Sequence, residues 1–211
     1  TPNDPFYRSF YFGGLVGFRL SVTRYDDQSA PVVGAQDNIN RFTAYRQLVC
    51  LTQEEGPLKG LQESQRAWKV LGQQVMMSQL QLRGAPEAQK ETALPLNRDQ
   101  WDGCVAQRKR ILETIRDQNI EGVMVLSGDI HTSWSAELTL NPNDPLYYRP
   151  DTPEDSGVIA FECTTPAVTS PALANVHEGI LNLLESSNPH IKWAQLTKRG
   201  FMLIDFTLTQ V

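Results

Sequence analysis

The sequence predicts an α/β domain in which helices cover a largely buried sheet, and three observations lead there. An amphipathic run from Val105 to Asn119 ends near Gly122 and feeds into Val123-Met124-Val125-Leu126, apolar at consecutive positions. Such a run marks a strand buried on both faces, which needs helices to cover it. Shorter extended runs recur along the chain, without internal repeat or low-complexity tract. The 211 residues, 40% apolar and 20% charged, suit one globular domain or a large part of one.

The elements follow in order. Tyr7 to Phe12 alternates aromatic with other residues, meets Gly13-Gly14 and is followed by an extended run from Leu15 to Thr23, a hairpin-like pair of strands. Strand material with no lead-in element raises the expectation of a segment upstream. Residues 26 to 45 are polar and turn-rich, a loop. Thr52 to Ala67 suits a helix, with Leu58, Leu61 and Gln65 at helical spacing and Pro57 expected near the first turn, where its missing N–H costs nothing. Trp68 to Gly72 reads as a short buried strand. Gln79 to Arg98, with Gly84, Pro86 and Pro95, reads as a long surface loop.

Trp101-Asp102-Gly103 is a turn before the helix 105–119, whose apolar stripe is Ile111, Leu112 and Ile115. Arg108, Lys109, Arg110 and Arg116 are expected to face solvent. Gly128-Asp129 stops the strand 123–126. Ser135 to Leu140 is a further strand, and Asn141 to Ser156, with four prolines, is a loop. Val158 to Glu162 is strand, Asn175 to Glu185 helix, and Gly200 to Leu208 a closing strand with alternating character.

Several function classes are disfavoured by composition. A nucleic-acid binder normally shows a basic face, and a net charge of -5 with a pI of about 5.2 disfavours a polyanion partner. A small phosphate ester can still bind if cations supply positive charge. No run of eighteen apolar residues exists to span a membrane. Thr1-Pro2-Asn3-Asp4-Pro5 has neither the basic start nor the apolar core of a secretory leader. Cys50, Cys104 and Cys163 are sparse and odd in number, which fits buried or half-buried free thiols rather than a disulfide framework or a structural zinc site. No G-x-S-x-G elbow, P-loop or dinucleotide fingerprint is present.

Chemistry concentrates in Ser127-Gly128-Asp129-Ile130-His131-Thr132-Ser133-Trp134. In open α/β sheets ligands bind outside the carboxyl ends of strands, and Asp129 and His131 fall just past such an end. With a near-extended backbone, residues i and i+2 point to one side. A carboxylate and an imidazole held side by side suit a pair of metal ions. D-x-H alone is a short motif; the strand-end position behind a glycine gives it weight. Gln73 and Gln74 also end a strand and could offer an amide to a site or to the sheet edge. His190, in Asn188-Pro189-His190, could approach a site or bond locally. His177 reads as a surface or capping histidine.

Taken together, several segments resemble the PhoD-type alkaline phosphatases. Trp68-Lys69-Val70-Leu71-Gly72-Gln73-Gln74-Val75-Met76 is similar to that family's W-K-V-(I/L)-G-Q-Q-V-M, and Trp101-Asp102-Gly103 with Arg108 to its W-D-G-Y…R. Ser127 to Trp134 resembles S-G-D-x-H-x-S-W. Phe161-Glu162 through Thr169-Ser170-Pro171, Asn188-Pro189-His190 and Arg199-Gly200-Phe201 follow in the family's order. The likeness covers most of residues 46 to 208; residues 1–45 match poorly. Family L-D-T-R reads Ser21-Val22-Thr23-Arg24, the W-D-G-Y tyrosine is Cys104, and the stretches around Leu48-Val49-Cys50 and Gly56-Pro57 depart from the family.

The resemblance implies a calcineurin-like metallophosphoesterase fold, a β-sandwich flanked by helices, incomplete in this chain. It implies hydrolysis of phosphate mono- and diesters at a site holding iron and calcium, with Asp129 at the calcium-binding position and His131 at the iron-binding one. Gln74, Trp101, Asp102, Trp134 and His190 would stand behind the metals or beside substrate. The family's other ligands lie upstream of the matched part, so the N-terminal part of the same domain is the expected partner. An extracytoplasmic location is implied in the same way. A scaffold with a decayed site, and a different metallohydrolase using the same pair, are the alternatives.

Overall fold

The computed structural model describes residues 8–23, 29, 40–82, 94–173, 176 and 178–210. The strands are β1 (Arg8–Phe12), β2 (Val16–Leu20), β3 (Trp68–Val75), β4 (Gln81–Leu82), β5 (Leu94–Pro95), β6 (Val123–Gly128), β7 (Ser133–Leu138), β8 (Ala160–Thr164) and β9 (Ile191–Gln195). The helices are α1 (Leu51–Gln62), α2 (Val105–Asp117) and α3 (Glu178–Ser187). Seven strands make one sheet in the order β1-β2-β3-β6-β8-β7-β9, and β4 and β5 form a two-stranded ribbon. β2, β3, β6 and β8 run parallel; β1 pairs antiparallel with β2, and β7 antiparallel with β8 and β9. The α/β class expected from the sequence is the one observed, and this chain holds one large sheet of it.

The parallel centre explains the consecutive apolar run in β6. Val123 and Val125 join Leu71, Val75 and Ala160 beneath the helices, where Ile111, Leu112 and Ile115 of α2 and Leu61 of α1 complete the core. Met124 packs on the opposite face with Val16 and Val70. A smaller cluster, Met76, Leu80, Trp134, Leu184 and Leu196, lies under α3.

One buried amide ties the segment before α1 to α2. Gln107 accepts from the Leu48 N–H (2.6 Å) and donates to the Val49 carbonyl (2.7 Å) and to Glu54 (2.8 Å). Gly122, at φ +65°, turns the chain into β6. A Cβ there would lie 2.1 Å from the Ala67 carbonyl oxygen, so the position admits glycine alone.

Several expectations are corrected. Arg108 does not face solvent: it is buried, with Nη1 2.8 Å from Asp102 Oδ1. Pro57 lies inside α1, not in its first turn, and removes one intrahelical donor. Part of the loop 79–98 is the β4–β5 ribbon. β9 is an edge strand that the pattern did not mark. The closing segment 200–208 is not a strand. Met202, Ile204 and Phe206 are half-buried while their neighbours are exposed, and Phe206 meets Trp68 with ring centroids 5.9 Å apart. The segment lies on the face of the sheet without joining its ladder, so it carries the two-residue alternation of a strand and none of the pairing. The helix expected from Asn175 is Glu178–Ser187, and His177 lies outside the described residues. Cys50, Cys104 and Cys163 form no disulfide.

Replacing Gln107 by alanine strands the buried Leu48 N–H. Urea unfolding should show a loss of about 1–3 kcal/mol, the usual penalty for an unpaired buried donor. An unchanged unfolding midpoint would refute that role.

Candidate functional site

The parallel strands β2, β3, β6 and β8 end at the same edge, and an open cleft of about 810 Å³ lies there. Phe10, Phe18 and Leu20 form its apolar side; Gln74, Ser127, Gly128, Asp129 and Thr165 form its rim at the strand ends.

The chain leaves β6 through a tight turn. The Ile130 N–H donates to the Gly128 carbonyl at 2.8 Å, and Asp129 between them has φ 68°. An i to i+2 bond around a residue of positive φ is the rare, strained kind of γ-turn. His131 follows at φ 61°. Non-glycine residues in this region are uncommon, and strain of this kind gathers at functional sites. The expectation of a near-extended backbone from Asp129 to His131 is therefore corrected: both residues are left-handed.

Neighbouring groups hold the turn. Ile130, between two exposed residues, packs against the cluster under α3. Thr132 is buried, and its Oγ1 accepts from the Trp134 indole N–H at 2.6 Å. Asp129 lines the cleft; His131 is exposed beside it and outside its lining.

Gln74 reaches the cleft rim at the end of β3. Its Oε1 accepts from the Thr23 hydroxyl at 2.6 Å and from the Thr23 N–H. Thr23 is fully buried; it belongs to the Ser21-Val22-Thr23-Arg24 segment, and sequence reasoning gave it no role.

Trp101, Asp102 and His190 do not line the cleft. Trp101 is a core residue whose indole N–H donates to Gln73 Oε1 at 3.0 Å. Asp102 accepts from the Leu80 N–H at 2.8 Å and pairs with Arg108, so its carboxylate holds the start of α2 against the β4 segment. His190 is buried with Nε2 2.9 Å from the Gln79 carbonyl. Burial is the main cause that pushes its imidazole down from 6.5 to about 3. The ring is therefore neutral, and Nε2 is the donor.

Among the described residues no group of three or more His, Cys, Asp and Glu side chains could hold a metal ion. Asp129 and His131 offer one hard oxygen and one imidazole nitrogen, fewer donors than a stable site requires. The described residues do not complete a metal site by themselves.

A sheet with a parallel centre, a cleft past its strand ends and a strained Asp–Ile–His turn on the rim defines an open α/β protein with its cleft where such sheets generally take ligands. The family model of PhoD-like phosphatases matches residues 1–211, and the chain belongs to that family. The chain is 32% identical over 198 residues to alkaline phosphatase D of Bacillus subtilis (strain 168), covering 91% of this chain and 31% of that protein. A solved structure described as the structure of PhoD aligns with a TM-score of 0.73 at 26% identity, over 95% of this chain and 36% of that one. The chain thus spans about a third of the length of these relatives.

The depressed pKa of His190 makes stability depend on pH. Below pH 6.5 the unfolded chain takes up a proton on this residue that the folded chain refuses until about pH 3. Its share of stability is present above 6.5 and is lost as pH falls through that window. His190→Gln keeps a donor for Gln79 and should show a shallower fall in Tm between pH 6.5 and 4. Parallel Tm curves for the two proteins would contradict a buried neutral imidazole.

Proposed function

We propose that this chain supplies the strand-end part of a metal-dependent hydrolase of phosphate mono- and diesters. The observation that carries the reading is the left-handed Asp129–Ile130–His131 turn on the rim of the cleft, in a chain of the PhoD-like phosphatase family. On this reading Asp129 is a calcium ligand and His131 an iron ligand, and the remaining ligands come from the rest of the protein. Bound cations would supply positive charge and an ionised water to a phosphoryl group. The chain's own residues hold geometry. Thr23 fixes the Gln74 amide at the rim, and the Trp134–Thr132 bond fixes the exit from the turn.

The same reading makes residues 1–211 the C-terminal part of one PhoD-like domain whose N-terminal part is the partner. The sheet face away from α1 and α2 supports this. Phe161 of β8 is 50% exposed although β8 is an interior strand, and Phe10, Phe12 and Trp193 are also exposed. Apolar area of this kind is what a second sheet would cover. An extracytoplasmic location belongs to the same proposal; no helix of the described residues is long and apolar enough to cross a membrane.

The alternative, a scaffold with a decayed site, drew on the departures from the family pattern. One of them, Cys104, is buried in the core before α2 and does not line the cleft, so it gives that alternative little.

Two variants of the full-length protein test the hydrolase reading. Asparagine tolerates positive φ, so Asp129→Asn should keep the fold while metal content falls. His131→Ala should lose turnover of p-nitrophenyl phosphate by more than about 100-fold, since even outer-shell changes at metal sites cost 10–100-fold. Full activity in His131→Ala, or an intact wild-type protein that holds no metal, would end the proposal.

A further inference from the structure

Glu162 lies in the middle of β8 and is fully buried. Its Oε1 accepts from the Met77 N–H at 2.8 Å and from the Ser127 hydroxyl at 2.7 Å. Its Oε2 accepts from the Ser78 N–H at 2.7 Å and from the Ser78 hydroxyl at 2.5 Å. Ser127 Oγ lies a further 2.9 Å from Thr164 Oγ1, and the Ser127 carbonyl accepts from the Thr165 N–H at 2.9 Å.

An isolated carboxylate in such a place would be severely destabilising; one with every neighbour a donor is tolerated. Burial pushes its carboxyl up, while the four donors pull it back. An acceptor-only group is what four donors require. An apolar side chain at this position would leave the Met77 and Ser78 N–H groups without an acceptor.

Glu162 binds groups at and just behind the cleft rim. Met77 is three residues past Gln74; Ser127, itself on the rim, is two before Asp129 and reaches Thr164, one before Thr165. Gln74, Asp129 and Thr165 all line the cleft. Strained backbone persists only where its surroundings over-determine it, and the γ-turn at Asp129 begins one residue after Ser127.

We propose that Glu162 is a positioning residue for the hydrolase site: acting through the Ser127 hydroxyl, it fixes the end of β6 and so the strained turn that presents Asp129 and His131. Its limb to Ser78 fastens the end of β3 and bears on the fold alone. The structural claim stands on the hydrogen bonds; the link to turnover rests on the hydrolase reading.

The two hydroxyls give a matched test in the full-length protein. Ser127→Ala and Ser78→Ala each remove one hydroxyl donor from the same carboxylate; both should lower Tm, Ser127→Ala the more because its hydroxyl also meets Thr164. Glu162→Gln turns an N–H towards donors and is expected to weaken the whole fold, so the serine pair is the sharper comparison. In Ser127→Ala, amide exchange over residues 127–134 should quicken about tenfold, and kcat for p-nitrophenyl phosphate should fall about tenfold with a smaller change in KM, as for outer-shell partners at metal sites. Ser78→Ala should leave exchange in that segment and kcat near wild type, and Ser127→Thr should restore both. Equal exchange over 127–134 in the two alanine variants would overturn the proposal, whatever the turnover. A wild-type protein without metal or turnover would instead remove the hydrolase reading and leave the exchange comparison to decide the role of Glu162.

Discussion

β6 lies between two parallel neighbours, and the rest of the molecule is arranged around that pairing. Val123 to Gly128 is hydrogen-bonded to β3 on one side and β8 on the other, so its backbone polar groups find partners in the ladder and its side chains can be apolar on both faces. Parallel neighbours need crossovers. Here α2 supplies one of them, packing Ile111, Leu112 and Ile115 on Val123 and Val125. Because β2, β3, β6 and β8 point the same way, their carboxyl ends meet at one edge, and the cleft follows from that agreement of direction.

At this edge regularity gives way. A register shift between Gly72 and Val75 frees the end of β3 and lets Gln74 reach the rim. β6 stops in a γ-turn because β7 returns on the far side of β8, and the connection must reverse within a few residues. The half-buried Ile130 and the buried Thr132 and Trp134 anchor this reversal, while Asp129 and His131 remain at the surface between them. Local strain is thus held by burial on either side of it.

The two faces of the sheet are unequal. The helix face is closed by α1 and α2 and crossed by polar tethers at Gln107, Asp102 and Glu162, each fully hydrogen-bonded to a specific neighbour. The opposite face is covered only in part. Ile204 and Phe206 of the tail pack against the cluster of Val16, Val70 and Met124, Phe206 beside Trp68, and aromatic residues elsewhere on this face remain exposed. The tail read as a strand because a segment lying flat on a sheet buries alternate residues just as a paired strand does.

What the sequence determined by itself is what periodicity and local chain chemistry encode. The stripe of α2, the consecutive apolar run of β6, the glycine before β6 and the Gly128–Asp129–Ile130–His131 exit were all legible, because each depends on residues within one or two turns of chain. Only the tertiary structure decided the rest. Arg108 lies on a helix whose other cations are partly or fully exposed, and it is buried where the Asp102 carboxylate and the Met77 carbonyl accept from it. Trp101, Asp102 and His190 carry site-like chemistry and lie apart from the cleft lining. Glu162 looked like the end of a strand, although an ionisable residue closing an apolar run was itself a signal. Its role comes from donors 84, 85 and 35 residues away in the chain, and no local pattern records a hydrogen bond closed across that distance.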